Sequence, residues 1–436
     1  MAGRPIYYGY YLIGAAFVAQ FVSIGILSYV AGPFMAPMAD DLGWSRAEFS
    51  AARSLAQVVM ALTGFVIGGT IDRIGGRRLM LIGTVVLSVS LALHSRLDTL
   101  WQWLLLNGLA TTVGCAPVGN LVVNVTLAKW FVARRGQAVA WAAMGVSLGG
   151  IVITPFTTWA IDTQGWREAW VWLGGLVAVI MLPVAALMRR APEDYGLQPD
   201  GMTGEHTSAL AERARLDFER SMTRSQAIRT PSFYALTLAF GFFQINIAVV
   251  LLHSVPYITD AGFSRAQAAM TLLVASVPAM LSKPVWGYVI DRLPPKPLAA
   301  VSASTTGVAL ALIILSVQAG RIELVFAAFF VLGLGWGGMI PLQEVVWASF
   351  FGRRYLGAVR GAALPVALLL SAGAPYLVAL HHDQTGSYDS ALWLVAALNV
   401  LSGVLIHRVK PPSRSGESRS GDQGEAEETG HTTDNA

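Results

Sequence analysis

The sequence predicts an all-α membrane protein whose twelve transmembrane helices form two pseudo-symmetric six-helix halves. Composition, a series of span-length apolar runs and an internal duplication carry that prediction. Of 436 residues, 54% are hydrophobic and 13% are charged, against about 25% charged in a soluble domain. Mean hydropathy is +0.56. About 235 apolar residues suffice for about twelve spans at about 20 residues each. The composition excludes a soluble enzyme with a modest core and a disordered protein. The single cysteine, Cys115, excludes a disulfide scaffold.

Apolar runs occur at 8–33, 47–71, 79–95, 100–128, 136–160, 167–188, 231–257, 265–290, 297–318, 322–350, 357–380 and 388–408. Short polar or Gly/Pro-containing links separate them, as a multi-span bundle requires. One longer polar stretch divides six runs from six. The expected organisation is a first half over 1–190, a cytoplasmic linker over 191–230, a second half over 231–410 and a tail over 411–436. That tail is rich in Ser, Gly, Glu and Thr and is expected to be disordered. No cleavable leader is expected, because the first run, Tyr10 to Val30, is itself span-length.

Basic residues set the orientation. With the N-terminus in the cytoplasm, 23 of the 30 Lys and Arg fall on the cytoplasmic side and five on the other: Arg46, Arg96, Arg167, Arg265 and Arg321. Arg53 and Lys283 remain inside runs. This asymmetry accounts for the pI of about 9.2 and removes nucleic acid as a partner. Both termini are expected to be cytoplasmic. Tyr7, Tyr8, Tyr10 and Tyr11 fall where an interfacial aromatic belt belongs.

The duplication is direct. Asp41-Leu-Gly-Trp-Ser-Arg-Ala-Glu48 recurs as Asp260-Ala-Gly-Phe-Ser-Arg-Ala-Gln267, and Gly68…Asp72-Arg73 recurs as Gly287…Asp291-Arg292, each pair 219 residues apart. The Ser-x-x-Glu and Ser-x-x-Gln segments read as capping boxes opening the second and eighth helices. Parallel halves around a midplane site are the architecture of many secondary transporters.

The stretch Gly68-Gly-Thr-Ile-Asp72-Arg73-Ile-Gly75-Gly76-Arg77-Arg78 resembles the Gly-x-x-x-Asp-Arg-x-Gly-Arg-Arg loop of the major facilitator superfamily. The resemblance extends over residues 7 to 408. It implies that fold, with Asp72, Arg73, Asp291 and Arg292 latching helix ends on the cytoplasmic side. Lys129-Trp-Phe-Val-Ala-Arg-Arg-Gly136, Pro192-Glu-Asp-Tyr-Gly-Leu-Gln-Pro-Asp-Gly201 and His253-Ser-Val-Pro-Tyr-Ile-Thr-Asp-Ala-Gly262 are similar to the monocarboxylate-porter and oxalate/formate-antiporter branch, in its bacterial members. A bacterial inner membrane location follows from that resemblance.

Polar side chains inside runs are costly in hydrocarbon and should face a cavity or one another. The third, sixth and ninth runs hold almost none. Lys283 is the sharpest candidate. It lies eight residues before Asp291, about 12 Å into the membrane at the helical rise, with no acidic residue within its own run. In the monocarboxylate-porter branch the eighth helix carries a carboxylate-binding Arg before Pro-x-x-Gly. Here Lys283-Pro284-Val-Trp-Gly287 resembles that motif, with Lys in place of Arg. The resemblance implies a small organic anion as substrate, while snorkelling to the interface is the alternative for a lone lysine.

Arg53 lies eight residues past Ser45, at similar depth from the outer side. It would bracket a dicarboxylate with Lys283 or attract anions, unless it pairs with Glu48. Gln20, Asn120, Asn246 and Gln343, with Tyr29 and Trp141, are candidate cavity-lining partners for a carboxylate, although interhelical bonding explains buried amides equally well. His253 titrates in a range suited to proton transfer, or makes a structural hydrogen bond near the outer end of its helix. Glu344 is expected to pair with Arg353 or Arg354 at a cytoplasmic gate. Two departures from the branch bear on coupling: Ala279 stands where the family carries Asp, and the first run has no Lys. Proton symport and exchange for a counter-anion both remain open.

Gly333-Leu-Gly-Trp-Gly-Gly338 lacks the Lys-Ser/Thr of a phosphate loop. His381-His382-Asp383 sits in a short outer loop without further ligands. No catalytic residue, metal site or cofactor is expected, so the chain is not read as an enzyme. The expected function is alternating-access transport of a mono- or dicarboxylate by a monomer in the bilayer. The alternatives are export of a larger amphipathic compound and a non-transporting solute receptor.

Overall fold

The computed structural model describes residues 6–44, 46–201, 212 and 215–412. Among them, twelve helices are long and apolar enough to cross a membrane: α1 (Gly9–Met35), α2 (Ala51–Ile74), α3 (Gly76–Arg96), α4 (Leu100–Trp130), α5 (Arg135–Gln164), α6 (Trp166–Leu187), α7 (Pro231–Asp260), α8 (Ala266–Ile290), α9 (Pro295–Gln318), α10 (Ile322–Phe351), α11 (Leu356–Thr385) and α12 (Asp389–Arg408). No strand occurs among the described residues. The expected disordered tail lies almost wholly outside the described residues.

Local signals start and stop these helices. Ser264 and Gln267 form a reciprocal capping box before α8, whereas Ser45, the first half's counterpart, lies outside the described residues. Thr230 caps α7 by accepting from the Phe233 N–H, with Pro231 at the first helical position. Gly75 turns the chain between α2 and α3 at φ +77°, a conformation that favours glycine.

Packing repeats with the sequence. Helix α3 pairs with α6 in the first half, and α9 pairs with α12 in the second. Across the halves, α2 packs on α11 and α5 on α8. Both crossings are made by glycine. A Cβ on Gly68 would come within 2.4 Å of the Gly357 carbonyl oxygen, and one on Gly287 within 2.7 Å of the Ala140 Cβ. Bare backbone therefore allows the close approach.

Helix α4 is broken at Gly119, where the backbone is extended just after Pro117. Ser23 of α1 donates to the Cys115 carbonyl at 3.4 Å, serving a group that the break frees within the membrane.

Candidate functional site

The buried Lys283 side chain reaches across the interface between the halves. Only 4% of the residue is exposed, and its Nζ donates to Ser147 Oγ of α5 at 2.7 Å. Among the described residues no carboxylate lies within 4 Å of that ammonium. Ser147 follows Gly136 and Ala140 along the face of α5 that meets α8. One turn farther along α5, the Tyr29 ring lies against Gly150, where a Cβ would sit 2.9 Å from it. Tyr29 is a third exposed and ends a widened turn of α1, Gly25–Tyr29, an irregularity frequent at functional sites. Lys283, Ser147 and Tyr29 thus share the α5 surface.

The other candidates sit elsewhere. Gln20 donates to Asn124 Oδ1 at 2.9 Å within the first half, and Asn246 Oδ1 accepts from Trp336 Nε1 at 2.9 Å within the second. Both amides bond between helices. Asn120 opens the second segment of α4, its Oδ1 buried without a partner among the described residues. Gln343 is partly buried on α10. Arg53 lines a small recess of about 30 Å³ with Asn107, Trp103 and Trp170, wholly within the first half. Trp141 is half-exposed and lines a recess of about 250 Å³ with Tyr10 and Arg134. Neither Arg53 nor Trp141 is brought to Lys283 by a contact among the described residues.

Beyond Lys283, on the side that carries the linker, the two halves are tied together. Asp72 accepts from Lys129 Nζ at 2.6 Å and from the Ala358 N–H at 2.8 Å in the first turn of α11. Asp291 accepts from the N–H groups of Gly136 and Gln137, at 2.6 and 3.1 Å, in the first turn of α5. Burial pushes the Asp291 carboxyl up to about 6, because desolvation outweighs these N–H donors and that of the Gln137 side chain. The hydrogen bonds that Lys283, Asp72, Asp291 and Arg353 make between the halves lie at Lys283 or on its linker side.

The linker reinforces this side. Asp200 accepts from three successive N–H groups, Val132 to Arg134. Arg224 donates to the carbonyls of Phe65 in α2 and Ala358 in α11. Arg353 donates to the Lys129 carbonyl at 2.8 Å and pairs with Glu193 at 2.5 Å.

Two expectations need correction, the partner of Glu344 and the Arg73 and Arg292 latch. Glu344 pairs with neither Arg353 nor Arg354. Its carboxylate takes Arg360 of α11 at 2.8 and 3.3 Å, in a pair that is almost completely buried. Arg353 is drawn instead to Lys129 and the linker. Arg73 and Arg292 also differ from the expected latch. Arg73 is exposed and offers its carbonyl to Arg190, and Arg292 folds over its own Tyr288 ring at 3.4 Å. His253 Nε2 is 2.9 Å from the Pro375 carbonyl of α11, a hydrogen bond within the second half.

Sequence reasoning passed over Ser147 and Arg360. Arg360 had a signal, a charge four residues into an apolar run. Ser147 had none, since a hydroxyl is unremarkable in a transmembrane helix.

Twelve membrane-spanning helices in two matched halves point to a membrane transporter rather than an enzyme. The chain belongs to the Major Facilitator Superfamily, whose family model matches residues 16–375 and 255–431. It is similar to the oxalate:formate antiporter of Oxalobacter formigenes, 25% identical over 73% of this chain and 72% of that protein. It is also similar to monocarboxylate transporter 11 of Mus musculus, 28% identical over 93% of this chain and 88% of that one. Among solved structures, a proton:xylose symporter of the superfamily superposes with a TM-score of 0.74, covering 92% of this chain and 95% of the other at 13% identity. That likeness bears on the fold alone.

Proposed function

We propose that this protein is a secondary transporter of a small organic anion, a mono- or dicarboxylate, with Lys283 as the carboxylate-binding cation. One observation carries the reading. A buried ammonium stands where the halves meet, with a serine hydroxyl as its hydrogen-bond partner and no carboxylate within 4 Å among the described residues. A charge held in such surroundings is costly unless an opposite charge joins it, and a substrate carboxylate supplies that charge. The resemblance to monocarboxylate and oxalate:formate carriers supports the same class.

The contacts between the halves support an alternating-access cycle. The halves are tied on the linker side in this conformation, and in this reading the substrate reaches Lys283 from the opposite side. Anion binding at Lys283 competes with the Ser147 contact and loosens one tie between α5 and α8. Release of the Asp72 and Asp291 contacts then lets the halves rock the other way. The linker and both termini are assigned to the cytoplasm of a bacterial inner membrane, in accord with the basic residues on that side. Protons or a counter-anion drive the cycle.

Thermal stabilisation of the purified protein by a panel of small carboxylates tests this reading. A native-state binder raises the apparent melting temperature by mass action. One acid class should stabilise the native protein, and Lys283→Gln should lose that response. Equal responses of mutant and parent would make Lys283 a snorkelling residue and favour export of an amphipathic compound.

A further inference from the structure

The linker-side ends of α7 and α12 enclose a cleft of about 580 Å³, lined by Arg229, Arg408 and Lys410 around a floor that includes Ala235, Leu405 and Val409. No acidic side chain lines it. None of the three cationic side chains has an ion pair or hydrogen bond among the described residues. The carbonyls that end α12 are already occupied: Lys296 Nζ donates to Val409 O at 2.8 Å and Ser232 Oγ to Lys410 O at 2.7 Å. These contacts fix the cleft walls and leave the three cations for another anion.

We infer that this cleft binds the phosphate headgroup of an anionic phospholipid. Phosphate is the shared chemistry of a lipid headgroup and a free ion, and two features select the lipid. The cleft lies where two spans end, at the level of the headgroups. From it, exposed apolar side chains run into the membrane, Tyr234 and Leu238 on α7 and Leu401 and Val404 on α12. Acyl chains lie along those rows while the phosphate sits among Arg229, Arg408 and Lys410. The guanidinium forks suit a phosphate's oxygens. The lipid would fasten the linker's last residues and the start of the C-terminal segment to the same membrane patch.

The test uses the full chain purified in detergent. Phosphatidylglycerol, phosphatidylcholine and inorganic phosphate are each added, with retained lipid read by native mass spectrometry and stability by thermal melt. Phosphatidylglycerol should be retained roughly 100-fold more strongly than phosphatidylcholine, given the attraction of three basic residues for an anionic headgroup. The triple variant Arg229→Gln, Arg408→Gln, Lys410→Gln should lose that preference. A photoreactive phosphatidylglycerol should label the native protein at the start of α7 or the end of α12, a readout independent of how well the variant folds. Equal retention of the two lipids, or an unchanged preference in a folded triple variant, would overturn the inference. Stabilisation by inorganic phosphate equal to that by lipid would make this a free-anion site and overturn the lipid assignment. Carbodiimide coupling of Lys410 to an acidic residue of the tail, in place of lipid labelling, would overturn it as well.

Discussion

Asp72 and Asp291 occupy equivalent positions 219 residues apart, and each carboxylate accepts backbone N–H groups from the first turn of a helix in the opposite half. A negative charge at a helix N-terminus is favourable there, since those N–H groups lack partners within the helix. The two contacts are related by the pseudo-symmetry of the fold, yet their settings differ. Asp72 has Lys129 as a counter-ion, whereas Asp291 has no ion pair among the described residues, only uncharged N–H donors, and its carboxyl is pushed up to about 6. The two predictions that follow separate them.

Asp72→Asn leaves the Lys129 ammonium buried beside an amide. Removing one partner of a buried pair costs about 3–5 kcal/mol. The variant should melt well below the parent, and adding Lys129→Met should recover much of the loss. Thermal melts of the single and double variants check this.

Asp291 makes the linker-side contact pH-dependent. Its carboxyl sits at about 6 when buried, above the ordinary 3.8. The tied state therefore binds the proton more tightly than a state that exposes Asp291 to water. Lowering the pH through 6 toward 4 should increase the tied population, and raising it should decrease it. Distances between spin labels at the linker-side ends of α5 and α8 report the shift, which Asp291→Asn should abolish.

The glycine crossings predict a steric trap. Gly68→Val places side-chain atoms where the Gly357 carbonyl and the Gly361 Cα lie. The halves then cannot meet on the linker side. Cysteines introduced near α11's first turn should become reactive to a membrane-impermeant thiol reagent applied from that side, while remaining protected in the parent.

Glu344 and Arg360 form the second buried ion pair, with the guanidinium 5.5 Å from the centre of the Trp347 ring. Glu344→Gln strands the Arg360 charge and should destabilise by about 3 kcal/mol. Substituting both by methionine should cost much less, because no uncompensated charge then remains. A double-mutant cycle of thermal stabilities measures the difference.

The twelve spans were legible because hydrocarbon imposes length and apolarity on every crossing segment, and the duplication was legible because Asp41–Glu48 and Gly68–Arg73 recur at one offset. Lys283 stood out for the same reason, a charge in an apolar run. The partners of polar side chains were not legible. Glu344 lies closer in sequence to Arg353 and Arg354 than to Arg360, and only the turn between α10 and α11 brings the more distant Arg360 to face it. The recesses that hold Arg53 and Trp141 depend on helix rotation, which sequence spacing fixes only relative to neighbours on the same helix. Ser147 became visible only once α5 and α8 were placed against each other.

The central claim is that Lys283 binds a carboxylate during transport, and counterflow in reconstituted vesicles tests it most directly. Vesicles preloaded with the unlabelled acid that best stabilises the native protein should accumulate the labelled acid transiently. Lys283→Gln should abolish that accumulation while still folding and reconstituting. Counterflow by Lys283→Gln at the parental rate would contradict the claim.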